Sequence, residues 1–124
     1  MRALVIDDSR AVRRIISSIM KDLGYEVTEA AHGLEGLAML ELHGAPDVVL
    51  VDWNMPEMNG LEFIKATRAI PGYRDLPIMM VTTETEMSRM AQAFVAGVNE
   101  YVMKPFDRNM IAEKLNILGI GAGA

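Results

Sequence analysis

Short apolar runs and amphipathic helical segments alternate five times along the chain, and this alternation restricts the folds that it can adopt. The runs at 48–51 and 78–81 contain no polar residue, which is typical of parallel strands buried on both faces. Strict alternation favours parallel pairing with right-handed crossovers, so that helices cover both faces of the sheet. We therefore predict an α/β fold with a doubly wound, five-stranded parallel sheet in the order 2-1-3-4-5.

The boundaries of the predicted elements follow from breaks in these patterns. Asp8 or Ser9 is the predicted cap of the first helix, and Gly24 is its predicted end. Gly36 is expected to weaken the second helix, because glycine is a poor helix former. The predicted strands cover 4–6, 25–29, 48–51, 78–81 and 101–103, and the helices after the first cover 33–43, 61–67, 87–95 and 111–118.

Length and composition exclude several classes of protein. The 124 residues suffice for one domain, which we assign to 1–118, followed by a flexible C-terminal tail at 119–124. The chain has no cysteine, which excludes disulfides and thiolate chemistry, and its charge of −5 argues against a nucleic-acid surface. No apolar run approaches the ~20 residues of a membrane span. We expect a soluble, cytoplasmic monomer that binds neither nucleic acid nor membrane.

The 11 methionines are unusual for a chain of this size. Methionine fills irregular gaps in a core, and it also forms adaptable surfaces that bind partners. The sequence leaves both interpretations open.

Polar side chains follow four of the five predicted strands. Because the carboxyl ends of parallel strands meet at one sheet edge, and strands 1 and 3 are predicted neighbours, the acids should converge. Carboxylates about 5 Å apart repel by roughly 3 kcal/mol per pair at an effective dielectric of 20. A hard divalent cation, Mg²⁺ or Mn²⁺, suits such a set of oxygen ligands. The residues concerned are Asp7, Asp8, Asp52, Thr82 and Lys104.

This set of side chains fits phosphoryl transfer. A carboxylate such as Asp52 can act as a nucleophile toward phosphorus and accept the phosphoryl group. A divalent cation, the Lys104 ammonium and the Thr82 hydroxyl would neutralise charge on the transferring oxygens. Taken singly, the acids could be helix caps and the lysine a solvated surface residue, but four strand ends together indicate a site.

Four segments carry a resemblance to a known family. Together they resemble the bacterial two-component response regulator receiver domain, and specifically the single-domain chemotaxis regulators of the CheY type, over Leu4 to about Leu118. The resemblance implies a flavodoxin-like, CheY-like (βα)5 fold and a phosphorylation-activated signalling switch rather than an enzyme. The segments are VIDDSR at 5–10, DWNMPEMNG at 52–60, MMVTTE at 79–84 and EYVMKPF at 100–106.

The resemblance implies a metal site and a phosphoacceptor. Asp52 would receive the phosphoryl group from a histidine kinase of the CheA kind. Asp8 would contact Mg²⁺ directly, Asp7 would do so largely through water, and Asn54 would offer its backbone carbonyl.

The resemblance also implies a switch. Lys104 would bridge to the phosphoryl group, and its peptide bond to Pro105 would be cis. Thr82 would move toward the phosphoryl oxygens, and Tyr101 would rotate inward into the vacated space. These movements would change the surface of helix 4, strand 5 and helix 5 for a downstream target such as the flagellar switch.

Two further matches concern loss of the phosphoryl group. Asn54 and Glu84 resemble the pair that positions water in regulators with rapid self-dephosphorylation. Thr83, Phe94 and Val95 depart from the smaller or more polar residues usual in the family, so the resemblance does not identify the partner.

The same residues also allow other classes of protein to be considered. The chain could be a receiver domain excised from a larger response regulator. A Mg²⁺-dependent phosphatase of the haloacid dehalogenase group would carry its nucleophile in Asp-x-Asp on strand 1, whereas Asp52 lies on strand 3 and is followed by Asn54.

A flavodoxin shares the fold, but Asp7 and Asp8 would repel the phosphate of its flavin. A P-loop nucleotidase is excluded because the sequence lacks the P-loop motif.

Overall fold

Five strands and five helices alternate along the chain, in the predicted order. The computed structural model describes residues 1–120. Within them the elements are β1 (Arg2–Ile6), α1 (Arg10–Asp22), β2 (Glu26–Ala30), α2 (Gly33–His43), β3 (Val48–Val51), α3 (Gly60–Arg68), β4 (Ile78–Thr82), α4 (Met87–Ala96), β5 (Glu100–Met103) and α5 (Arg108–Ile117). None of these helices has the length and apolarity needed to cross a membrane.

The strands form one parallel sheet in the order β2-β1-β3-β4-β5, which confirms the predicted topology. Ile6 pairs with Val51 at the ends of β1 and β3, and Thr82 pairs with Met103 at the ends of β4 and β5. Val51 pairs with Met80, so β4 extends two residues beyond β3. Because these strands end within two residues of one another, the residues that follow them share one edge of the sheet.

Alternate side chains of the sheet divide the core into two layers. Ala3 and Val5 contribute to the cluster that includes side chains from α1 and α5. Leu4 and Ile6 contribute to the cluster on the other face, which includes side chains from α2, α3 and α4. The central strand β3 is buried along its whole length, as the unalternating run at 48–51 predicted.

One local detail differs from the sequence prediction, and a second adds to it. β2 begins at Glu26 rather than Tyr25, because the Tyr25 amide donates to the Met20 carbonyl at 3.0 Å and so completes the end of α1. Gly36 lies where α2 packs closely against the sheet: a Cβ there would lie 2.5 Å from Ile6 Cδ1. The glycine thus permits a close approach, which offsets its low helix propensity.

The structure describes the first two residues, Gly119 and Ile120, of the predicted flexible tail at 119–124. The Ile120 amide donates to the Leu115 carbonyl at 3.0 Å, and its carbonyl accepts a hydrogen bond from the Tyr25 hydroxyl. The rest of the predicted tail, 121–124, lies outside the described residues, and the boundary at 118 stays a prediction.

Arg68, the last residue of α3, forms hydrogen bonds that hold the C-terminal end of α4. Its Nε and Nη2 atoms donate to the Gly97 carbonyl at 3.1 and 2.6 Å, and Nη2 also donates to Asn99 Oδ1 at 2.9 Å. Nη1 donates to the Tyr73 carbonyl at 2.8 Å. Gly97 ends α4 in the left-handed conformation with φ of 118°, and a Cβ there would lie 2.8 Å from Arg68 Nε.

We expect Arg68→Ala to lower the free energy of unfolding by about 2 kcal/mol, since it leaves several partly buried acceptors without their charged donor. Urea unfolding of the variant and the parent would measure this loss. Arg74→Ala removes an exposed arginine from the loop that follows α3, and it should stay within about 0.5 kcal/mol of the parent. Equal losses in the two variants would contradict the role given to Arg68.

Candidate functional site

Three acids meet at the edge where β1 and β3 end. The amides of Asp7 and Asp52 extend the strands, donating to the carbonyls of Ala30 and Ile6 at 3.1 and 3.0 Å. One carboxylate oxygen from each of Asp7, Asp8 and Asp52 lies within 4.8 Å of the other two. Asp7 and Asp52 are buried, whereas Asp8 is exposed and opens the cluster to solvent. The convergence expected from the sequence is therefore present.

Lys104 reaches into this cluster from the end of β5. Its Nζ lies 2.9 Å from Asp7 Oδ2 and 3.1 Å from Asp52 Oδ2, while its amide donates to the Thr82 carbonyl at 2.8 Å. The bond from Lys104 to Pro105 is cis, as the resemblance implied. The lysine thus contacts two carboxylates at once.

The electrostatics of the cluster reflect burial opposed by pairing. Burial raises the pKa of Asp7, while hydrogen bonds from Lys104 and from the Ser9 amide oppose that rise. Burial alone would lower the pKa of Lys104, but its hydrogen bond to Asp7 and the charge of Asp52 outweigh burial and raise the pKa. Lys104 therefore stays a cation at neutral pH.

The donor set fits a divalent cation. Three carboxylates and one ammonium carry a net charge of −2, which a divalent cation would neutralise. All three candidate ligands offer oxygen, which suits Mg²⁺ and Mn²⁺ better than metals that prefer sulfur or imidazole. Asp8 is exposed, so an ion bound there could keep several waters, as Mg²⁺ does.

The loop after β3 returns tightly to Asp52. Asn54 is exposed in this loop, and Gly60 begins α3 directly against the Asp52 backbone. A Cβ at Gly60 would lie 2.2 Å from the Asp52 carbonyl oxygen, so only glycine permits this approach. The Gly60 amide donates to the Trp53 carbonyl at 2.9 Å, which closes the loop.

Thr82 and Tyr101 lie together beside the cluster. Thr82 is fully buried, and its Oγ1 accepts from the Glu84 amide at 3.3 Å. The Tyr101 hydroxyl donates to the Glu84 carbonyl at 2.7 Å, and its ring is only 7% exposed. Burial, aided by the charges of Glu84 and Asp52, raises the pKa of Tyr101 to about 12, so the phenol remains a donor. Tyr101 thus already points inward in this structure.

Trp53 and Arg89 form a contact that the sequence did not predict. The Trp53 amide donates to Asp52 Oδ1 at 2.7 Å, and the tryptophan is buried. The Arg89 guanidinium carbon lies 5.7 Å from the centroid of that ring. The sequence held one indication of this contact, because Arg89 lies in the first turn of α4. A cation there interacts unfavourably with the helix dipole, so it is expected to have other partners.

Comparisons with known proteins agree with this geometry. A family model described as the response regulator receiver domain matches residues 3–116. A chemotaxis protein CheY homolog of Campylobacter jejuni is 47% identical, with 99% of this chain and 96% of the relative covered. Chemotaxis protein CheY1 of Helicobacter pylori is 44% identical over 95% and 96% of the two chains. The solved structure of Vibrio cholerae CheY4 has a TM-score of 0.88 at 37% identity, covering 94% and 96%.

The chain belongs to the response regulator receiver domain family. Receiver domains are signalling proteins rather than classical enzymes. Within the family this chain is of the single-domain CheY type, and it is a phosphorylation-activated switch of chemotaxis signalling.

Proposed function

We propose that Asp52 accepts a phosphoryl group from a histidine kinase of the CheA kind in a Mg²⁺-dependent reaction. The observation that carries this proposal is the position of the Asp52 carboxylate, which shares the Lys104 ammonium with Asp7 inside the three-acid cluster. An Asp52 oxygen forms the new bond to phosphorus while the bond from phosphorus to the donor nitrogen breaks. Lys104 and the Thr82 hydroxyl offset charge on the transferring oxygens.

The metal would be held by the acids and one carbonyl. We assign direct contact to Asp8 and Asp52, contact through water to Asp7, and the backbone carbonyl of Asn54 as a further ligand. When bound, Mg²⁺ supplies charge neutralisation and a template for the transferring oxygens, and Mn²⁺ could replace it. The charge of −2 at the cluster supports this assignment.

The output surface is proposed to be the face formed by α4, β5 and α5. Tyr101 lies beneath it, and Phe94, Met103 and Met110 expose 47%, 41% and 39% of their surface there. The ring centroids of Phe94 and Tyr101 are 6.3 Å apart. A movement of Tyr101 would therefore change the packing of the exposed Phe94 side chain. Adaptable methionines suit a peptide-binding surface, and a component of the flagellar switch is the proposed target.

Other methionines lie in the core. Met20, Met79 and Met80 are fully buried, whereas Met103 and Met110 lie on the proposed output surface. The two interpretations left open by the composition therefore apply to different members of the set.

Loss of the phosphoryl group is proposed to use water held by Asn54 and Glu84. Asn54 is exposed beside the acids, and Glu84 lies two residues beyond Thr82. The protein would thus take phosphoryl groups from small donors and release them by autodephosphorylation. A kinase donor inside the cell makes the cytoplasm the proposed location.

Incubation with acetyl phosphate tests the proposal. With Mg²⁺ the protein should gain one acyl-phosphate group per chain, which hydroxylamine should release, and EDTA should prevent its formation. Continuous release of inorganic phosphate without a stable modification would favour an aspartyl phosphatase instead. Absence of both modification and turnover would contradict the assignment of Asp52 as phosphoacceptor.

A further inference from the structure

We propose that Arg89 prolongs the phosphorylated state of Asp52 by holding the Glu84 carboxylate against the start of α4. The inference rests on the proposed function, because it concerns the rate at which the phosphoryl group on Asp52 is hydrolysed. Arg89 acts through Glu84 and is therefore a positioning residue.

Both carboxylate oxygens of Glu84 are engaged at the start of α4. Oε1 accepts a hydrogen bond from the Glu86 amide at 3.1 Å, and Oε2 lies 3.6 Å from Arg89 Nη1. The Glu84 side chain is only 17% exposed. A carboxylate that orients an attacking water needs an oxygen directed at that water, and in this arrangement both oxygens of Glu84 contact residues at the start of α4 instead.

Arg89 is held in place by three partners. Its guanidinium lies 5.7 Å from the Trp53 ring centroid, and its Nε lies 3.6 Å from Glu86 Oε2, in addition to the contact with Glu84. Trp53 follows Asp52 directly and donates its amide proton to the Asp52 carboxylate. Arg89 therefore joins the loop that carries the phosphoacceptor to the residue proposed to position water.

The step under control is hydrolysis of the acyl phosphate. A water oxygen forms a bond to phosphorus and the bond from the Asp52 oxygen to phosphorus breaks, so that both water protons leave with inorganic phosphate as dihydrogen phosphate. The Asp52 carboxylate is regenerated. Glu84 can accept a hydrogen bond from that water only when its carboxylate leaves the contacts with Glu86 and Arg89.

Arg89→Gln should release Glu84 and accelerate hydrolysis. Half-exposed ion pairs of this kind contribute little, so we expect decay of phosphorylated Asp52 to become roughly two- to five-fold faster. The measurement is loss of label after phosphorylation with radioactive acetyl phosphate and removal of the donor at fixed Mg²⁺. Arg89→Lys keeps the charge and should restore most of the parent lifetime.

The Glu84→Ala background separates this role from a structural one. Without Glu84 the decay should be slower than in the parent, and adding Arg89→Gln should leave that slower rate unchanged. Equal acceleration by Arg89→Gln with and without Glu84 would overturn the proposal, because Arg89 would then act by another route. An unchanged or slower decay in Arg89→Gln would also overturn it.

Failure of the proposed function gives a different result. If the parent takes up no phosphoryl group at Asp52, both proposals fall together. Normal phosphorylation with no dependence of the decay on Arg89 overturns only the inference drawn from the contacts of Glu84.

Discussion

Asp52→Asn is expected to take up at least about a hundredfold less phosphoryl group than the parent, because an amide is not a nucleophile toward phosphorus. The substitution keeps the size and shape of the side chain. Its amide oxygen can still accept from the Trp53 amide, which lies 2.7 Å from Asp52 Oδ1 in the parent. The variant should therefore fold normally, and the loss should reflect chemistry alone. Incorporation from radioactive acetyl phosphate in Mg²⁺ measures the effect.

Asp7→Asn is the matched control for this experiment. Asp7 is also buried and contacts the same lysine, but it is not assigned as the nucleophile. That variant should still form an acyl phosphate on Asp52, although more slowly. Uptake by Asp52→Asn at the parent level would show that another side chain carries the phosphoryl group.

Mg²⁺ is expected to stabilise the folded chain, and Asp8→Ala is expected to remove most of that effect. Free Mg²⁺ at ten times its dissociation constant adds about 1.4 kcal/mol to the free energy of unfolding. For a domain of this size, that corresponds to a rise of roughly 5 °C in the melting temperature. At the same Mg²⁺ concentration, Asp8→Ala should show a rise below about 1 °C, since it loses a directly coordinating carboxylate.

The metal-free protein gives the control for Asp8. In EDTA, Asp8→Ala should be no less stable than the parent, because it removes one of three neighbouring like charges. Glu41→Ala removes an exposed acid from α2, outside the cluster, and should leave the response to Mg²⁺ unchanged. An unaltered melting temperature of the parent on addition of Mg²⁺ would contradict the proposed metal site.

The acids of the site could be predicted from the sequence because its apolar runs show where the strands end. Asp7 and Asp52 each stand where an apolar run stops, and the order of the strands makes the two runs neighbours. The same reasoning placed Thr82 and Lys104 at the shared edge. Hydrophobic periodicity and topology determine where each strand ends, so the positions of side chains within one or two residues of that end are predictable.

Contacts made by long side chains across elements were not predictable in the same way. Arg68 reaches the end of α4, and Arg89 reaches a ring in the loop after β3. Such contacts depend on rotamers and on the spacing of helices, which hydrophobic periodicity does not encode. The close approach at Gly36 was not predicted for a related reason: its helix propensity was considered alone, whereas Ile6 leaves no room there for a side chain.

The contacts that hold the two ends of α4 differ, and this difference determines how the helix can tilt. Three hydrogen bonds from Arg68 hold Gly97 and Asn99, at and after its C-terminal end, whereas the ion pairs of Arg89 at its first turn span 3.6 Å. The helix has ten residues and is therefore about 15 Å long. Rotation by about 20° around Gly97 would carry Met87 through roughly 5 Å while the far end stayed almost still. The helix can thus tilt about Gly97, and the largest displacement falls at its first turn, from which Arg89 contacts the Trp53 ring.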